Sequence, residues 1–293
     1  YSGRECDMKK EQELLLAAEK LGILHTHLKW QEPTAGELET LLCKYAVRSE
    51  DAAVSESGAV SENAAVSGNG AVSEKKEKEP VPQQQFPEEE FQVCPPAARS
   101  PLDEMLRHNR EMKKVRSFIR KRVVKNEFEA LYLKHFEAMY EKACAITAAM
   151  EQSGCMQIYE KNVAENRMMH GDYNYHNVMI LPENEVITNF ERMRIGIQVD
   201  DLYYFLRKVM EKYHWKQKTG QNILEAYESV RQLKPDEREY LYLRLAYPEK
   251  FWKTASAYSR SNKAWLPEKS VEKLQTAVEQ TKEKEVFLRE VFE

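Results

Sequence analysis

Across 293 residues the chain carries 44 Lys and Arg against 48 Asp and Glu, a formal net charge of −4, with 42% hydrophobic and 31% charged residues. This length holds one large domain or two ordinary ones, with a core that needs no covalent staples. The charge balance excludes a chain-wide basic field for nucleic acid, and the charged excess implies a folded body diluted by a solvated segment. Five cysteines, Cys6, Cys43, Cys94, Cys144 and Cys155, form no CxxC pair; an odd set without ligand spacing fits reduced thiols better than a secreted disulfide framework or a zinc site. No run approaches the roughly 18 apolar residues of a membrane span, and no basic-then-apolar signal peptide opens the chain, so a soluble protein is expected. The first residue is Tyr1 rather than Met, which leaves room for sequence upstream.

Residues 10–30 place Leu14, Ala17, Ala18, Leu21, Leu24, His25 and Leu28 at steps of three and four, the stripe of a helix with one buried face. Glu37–Val47 reads as a second, short helix. The composition then changes: an Ala-Val-Ser unit recurs every six residues from Ala53, and a Lys/Glu/Pro/Gln tract follows. A repeat built on Ala and Val cannot bury enough apolar area to offset its ordering entropy, so residues 51–95 are expected to be a low-complexity, disordered insertion rather than a solenoid. Gly68-Asn69-Gly70 lacks the strand before it and the third glycine after it that a phosphate loop needs. Order is expected again from Pro101, which can open a helix. Arg107 to Lys125 hold nine Lys or Arg and one acid, Glu111, interleaved with Met112, Val115, Phe118, Ile119 and Val123. This is a basic amphipathic helix, either docked with its charges in water or presented to an acidic partner. The stripe runs on through Phe128, Leu131, Tyr132, His135, Phe136, Met139 and Tyr140 to Met150, giving one or two long helices over 101–150.

Residues 168–200 differ in kind. A polar loop from Met168 to Asn177 leads into Val178–Leu181, the turn 182–185 and a second apolar run, Val186–Phe190, which together predict a hairpin. Helix returns over Asp201–Lys212, with Leu202, Phe205, Leu206, Val209 and Met210 on one side. Helices follow over 220–233, 235–247, 248–262 and 267–293, with Pro235, Pro248 and Pro267 at their starts. The expected body is mainly α, α+β overall, with a small hairpin embedded in it.

Within the polar loop, His170, Asp172 and Asn177 stand close together. An Asp on a rigid loop can take or orient the proton of a hydroxyl attacking a phosphoryl group, while an Asn amide oxygen five residues on can ligate magnesium. The pattern His170-Gly171-Asp172-(four residues)-Asn177 resembles the catalytic loop of the aminoglycoside phosphotransferase and choline kinase-like proteins, within the protein-kinase-like fold. A longer likeness takes in Gly3-Arg4-Glu5-Cys6, the helix ending in His25, Lys113–Ile119, His170–Asn177 and Asp201-Leu202-Tyr203, and it resembles the spore coat protein S family.

That resemblance implies the C-terminal lobe of a kinase-like fold, begun by residues 1–50, interrupted by 51–95 and completed by 96–293, with the N-terminal β lobe absent from this chain. It makes Asp172 the candidate base, His170 a support for the loop, Asp201 a structural brace, and Asn177 a magnesium ligand. It implies a place in the cytoplasm of the mother cell and in the spore coat, with spore coat proteins as partners; the charge balance and hydropathy already predict no nucleic acid and no membrane span. Two departures weigh against catalysis. The metal position at the end of the second strand, an Asp in active relatives, is Asn189, which brings no negative charge to magnesium. Glu191 would share its face if the strand continued, but roughly 6–7 Å further along. The upper lobe that would roof the nucleotide is the other missing part. A degenerate, non-catalytic kinase-like protein with a structural or interaction role is therefore expected, and the alternative is an active ATP- and magnesium-dependent phosphotransferase acting on a hydroxyl of a sugar, aminoglycoside or choline-like acceptor.

The remaining candidates have plainer readings. His25 on a helix face is expected to be a core histidine with a satisfied hydrogen bond. His170 and His176 lack a third ligand for zinc. Cys144 and Cys155 read as buried thiols; Tyr203, Tyr204 and Phe205 could stack on a base or sugar ring but read better as core aromatics, and the aromatics from Tyr240 to Trp265 read as helix packing with some groove lining.

Overall fold

A computed structural model describes residues 3–31, 95–261 and 268–292. The expected short helix Glu37–Val47, the insertion at 51–95 except its last residue, and Pro267 lie outside the described residues. The chain divides into a unit made of Tyr1–Trp30 and Pro95–Glu293 and a second unit, Gln31–Cys94.

The first unit is mainly helical among the described residues. Its helices are α1 (Glu11–His27), α2 (Pro101–Lys121), α3 (Glu127–Gln152), α4 (Cys155–Ala164), α5 (Val199–Met210), α6 (Gln217–Glu228), α7 (Pro235–Ala246), α8 (Glu249–Arg260) and α9 (Glu268–Phe292). Helix α1 buries Leu14, Ala17, Ala18, Leu21 and His25 and packs against α6. The approach is close at Gly22, where a Cβ would lie 3.0 Å from the Tyr227 carbonyl oxygen. The predicted stripe of α5 is buried throughout, together with Val199, Asp201, Tyr203 and Arg207. A helix enclosed this fully lies at the centre of its domain, and each fully buried Leu, Val or Met side chain contributes about 1.5–3 kcal/mol relative to leaving it in water.

Residues 101–150 form two helices. Helix α2 opens with Pro101 at its first turn and the Ser100 side chain accepting from the Asp103 amide at 3.5 Å. It stops at Lys121, four residues before the predicted end, and Val123, placed in its apolar stripe by the sequence reading, is 97% exposed in the connection. The stop follows from the next start: Asn126 caps α3 by accepting from the Glu129 amide at 2.9 Å, while Glu129 accepts from the Asn126 amide at 2.9 Å. Much of the basic run is compensated within the fold. Arg107 pairs with Glu111 at 2.6 Å, Arg122 with Glu129 at 3.0 Å and Arg116 with Glu137, and Lys113 lies over the Tyr140 ring.

Two small antiparallel sheets frame the polar loop. One has the order β1 (Arg4–Glu5), β3 (Val178–Ile180), β4 (Glu185–Ile187), with Arg4 opposite Ile180 and Val178 opposite Ile187. The other pairs β2 (Met168–Met169) with β5 (Arg194–Ile195), Met168 opposite Ile195. The hairpin matches the prediction in place and order, but its second strand ends at Ile187 rather than Phe190. Thr188 still donates its amide to the Asn177 carbonyl at 2.9 Å, then Asn189 turns into the left-handed region at φ 64° and Phe190–Arg192 form a 3-10 turn. Asn tolerates that conformation better than other residues bearing a Cβ. Glu191 therefore does not share a strand face with Asn189, and the placement drawn from a continuing strand is corrected. The strands β1, β2 and β5 and the helix α4 were not read from the sequence; strands of two residues carry too little periodicity to register.

Candidate functional site

The loop between β2 and β3 is held from below by one carboxylate. Asp201, 1% exposed in the first turn of α5, accepts from the His170 amide at 2.6 Å and the Gly171 amide at 2.8 Å. Behind it stands His25, whose Nε2 lies 3.4 Å from Asp201 Oδ2 and whose Nδ1 lies 2.8 Å from the Tyr227 hydroxyl. Asp201 Oδ2 can only accept, so the His25 proton sits on Nε2 and Nδ1 accepts from the Tyr227 hydroxyl, which in turn accepts from Arg231 at 2.8 Å. Burial pushes the His25 pKa below the usual histidine range, which favours that neutral form. The sequence reading of His25 as a buried, hydrogen-bonded histidine agrees with this position, although its link to the loop was not foreseen.

His170 is fully buried and ties the loop to the segment that follows β4. Its Nδ1 accepts from the Asp172 amide at 3.2 Å, which leaves Nε2 to donate to the Thr188 carbonyl at 2.9 Å. Gly171 between them has φ +80°, and a Cβ there would lie 2.1 Å from the Arg192 carbonyl oxygen. Only glycine allows the loop and the 3-10 turn to approach this closely.

Asp172, Asn177 and Asn189 come to one side of the loop. Asn177 Nδ2 donates to the Asp172 carbonyl at 2.8 Å, which turns its Oδ1 towards Asn189, whose Nδ2 lies 3.5 Å away. Asn174 Nδ2 donates to the same carbonyl at 2.9 Å and to Asp172 Oδ1 at 3.2 Å. The other carboxylate oxygen, Oδ2, faces Arg192 Nη1 at 3.5 Å. Kinase chemistry implies a magnesium ion here, and the donors fit it poorly. Two neutral amides face each other where a carboxylate would offset the metal charge, and the nearby carboxylate is turned to a guanidinium.

The rim of the site is Tyr204. Tyr203 and Phe205 are core, as predicted, but Tyr204 is only partly buried, with its hydroxyl at Asp172. Burial, then the charge of Asp172, raises its pKa above the usual tyrosine range. Lys208 Nζ lies 5.2 Å from its ring centroid, Arg207 Cζ 5.5 Å and Lys253 Nζ 5.7 Å. Arg192, Lys208 and Lys253 were not read from the sequence as part of the site, and Tyr204 was weighed only as one of three aromatics that could stack on a base or sugar ring. His176 lies apart at the surface, its Nδ1 2.7 Å from Glu5. Cys6 and Cys155 are buried, and burial pushes their thiols up to about 12 and about 11. Cys144 is only half-buried, short of the full burial predicted for it.

No family model and no curated protein matches the sequence. A search of solved structures finds an aminoglycoside phosphotransferase from Alicyclobacillus acidocaldarius, 14% identical, with a TM-score of 0.69 over 99% of this chain and 68% of that one. The chain has a kinase-like, phosphotransferase fold. At that identity the likeness speaks for the fold alone. Among the described residues no helix is long and apolar enough to cross a membrane.

Proposed function

We propose that this chain is a degenerate kinase-like protein whose role is structural or interactive rather than catalytic. The observation that carries the reading is the pair Asn177–Asn189, 3.5 Å apart and without a negative charge, at the position where phosphoryl transfer needs a metal held by an acid. Without a carboxylate there, the remaining amide oxygens bring no negative charge to offset that of magnesium beside a triphosphate. In line with its resemblance to the spore coat protein S family, its place is the mother-cell cytoplasm and the spore coat, with coat proteins as partners. The exposed cations Arg110, Lys114, Arg120 and Lys121 on α2 offer those partners a face for acidic segments.

One observation favours the second reading, an active phosphotransferase. The Asn177 side chain donates to the Asp172 main-chain carbonyl, which holds the two residues side by side in the loop. If chemistry survives, the acceptor is a sugar hydroxyl rather than an aminoglycoside or choline-like cation, because Arg192 at Asp172 and Lys208 and Lys253 around the neighbouring Tyr204 ring repel a positive acceptor.

The test is thermal unfolding of the natural full-length protein with magnesium and ATP. The expected result is no stabilisation at millimolar nucleotide, with saturable stabilisation appearing in Asn189→Asp. Stabilisation and turnover by the unsubstituted protein, abolished in Asp172→Ala, refute the reading.

A further inference from the structure

We propose that the rim beside Asp172 is a receptor for a phosphate group, with Lys208 and Lys253 as its principal ligands and Arg192 and Arg207 as its flanks. The inference rests on the reading above only in taking residues 170–201 as the wall of a ligand cleft; it requires no metal and no catalysis.

The argument starts from charge. Arg207, Lys208 and Lys253 lie 5.2–5.7 Å from the centroid of one tyrosine ring, and Arg192 lies 3.5 Å from Asp172, to which the hydroxyl of that ring is hydrogen-bonded. The acids nearby are already engaged. Glu211 holds Arg207 at 2.6 Å and Lys250 at 3.2 Å, Glu249 faces Lys253 at 3.5 Å and His108 at 3.7 Å, and Asp172 faces Arg192. Five cations thus meet three carboxylates, which leaves two positive charges uncompensated. Among the described residues no carboxylate pairs with Lys208. Arg207 is 6% exposed, and its Nε has no hydrogen-bond partner among the described residues.

Geometry and charge then choose the ligand. The tyrosine ring attracts cations to itself, yet crowding three of them around one ring costs repulsion that an oxyanion between them removes. A carboxylate brings one charge and two oxygens. A phosphate monoester brings about −1.5 to −2 charges and three acceptor oxygens, which matches the local excess and can serve two ammonium groups and a guanidinium together. The Tyr204 hydroxyl adds a further donor once it turns from Asp172. Such a group comes either from a free phosphorylated metabolite or from a phosphorylated side chain of a partner protein, and both present the same oxygens.

Titration calorimetry on the full-length protein, in EDTA and at low ionic strength, tests the proposal. The probes are inorganic phosphate and a short phosphoserine peptide beside its unphosphorylated twin. Saturable binding of a phosphorylated probe is expected, weakened by about tenfold or more in Lys208→Gln and in Lys253→Gln, retained in Lys208→Arg and Lys253→Arg, and lost as salt is raised. Tighter binding of inorganic phosphate identifies a small-molecule source, and tighter binding of the phosphopeptide identifies a protein source. Absence of saturable binding for both probes overturns the proposal, as does binding that the Gln variants leave unchanged. Turnover of magnesium ATP in a protein that also binds phosphate here refutes the non-catalytic reading alone; absence of phosphate binding refutes this inference alone.

Discussion

Replacing Asp201 by Asn asks how much of the loop's placement depends on one buried carboxylate. The native side chain uses its two oxygens for two main-chain donors, His170 N at 2.6 Å and Gly171 N at 2.8 Å. Asn has the same shape but one acceptor, so its amide nitrogen must face one of those N–H groups, and the remaining bond loses its charge assistance. A hydrogen bond to a charged group contributes about 1.5–3 kcal/mol, and an orphaned buried donor costs about 1–3 kcal/mol. One bond lost and one weakened therefore cost about 3 kcal/mol. For a body of this size each kcal/mol moves Tm by about 2–4 °C, so calorimetry at neutral pH should record a fall of about 6–12 °C. Hydrogen exchange should show the His170 and Gly171 amides losing protection before the rest of the domain. A fall of less than about 2 °C, or exchange at those two amides unchanged, would show that the loop is held by something other than Asp201.

Two further outcomes follow from particular contacts. Glu13 accepts from Arg4 at 2.5 and 2.7 Å and from the Asp7 amide at 2.8 Å, and these bonds, Arg4 first, hold its carboxyl down at about 2. Because the folded pKa lies below the unfolded one, the stability Glu13 contributes is present above pH about 4.5 and lost as pH falls towards 2. Chemical denaturation of Glu13→Gln and the native protein should therefore differ at pH 6 and converge near pH 2; a constant difference across that range contradicts the assignment. Gly171→Ala places a Cβ 2.1 Å from the Arg192 carbonyl at a positive φ, so the variant should unfold at least 1–3 kcal/mol more easily by the usual cost of such strain. An Ala variant as stable as the parent would mean that the loop and the 3-10 turn are not in fact packed this closely.

How far the site could be read from the sequence depended on the range of each interaction. The stripes of α1 and α5 were legible because burial repeats every three or four residues along one element. The loop and hairpin were legible as an order of polar, apolar, turn and apolar segments. The end of β4 was not. It depends on Asn189 accepting a left-handed turn and on Phe190 packing 4.9 Å from the His170 ring, and that second contact is tertiary. Arg192 reaches Asp172 only because of that turn, so no local pattern announced it. Tyr204 is a different case. Leu202, Phe205, Leu206, Val209 and Met210 occupy the buried face of α5, and the same period places Tyr204 and Lys208, four apart, together on another face. Reading Tyr203-Tyr204-Phe205 as one aromatic block concealed a signal that was present.

These two omissions bear on the same chemical point. The resemblance drawn from the sequence puts Asn189 where an acid would hold magnesium, which argues only for a weakened metal site. The fold adds Arg192 at Asp172 and Lys208 and Lys253 around the Tyr204 ring, so on the proposed reading positive charge collects close to where an acceptor would lie. A site altered in only the first respect would be expected to bind little. One altered in both has changed the sign of what it attracts, and for that reason a phosphate-bearing ligand accounts for the surviving architecture better than an empty relic of a kinase.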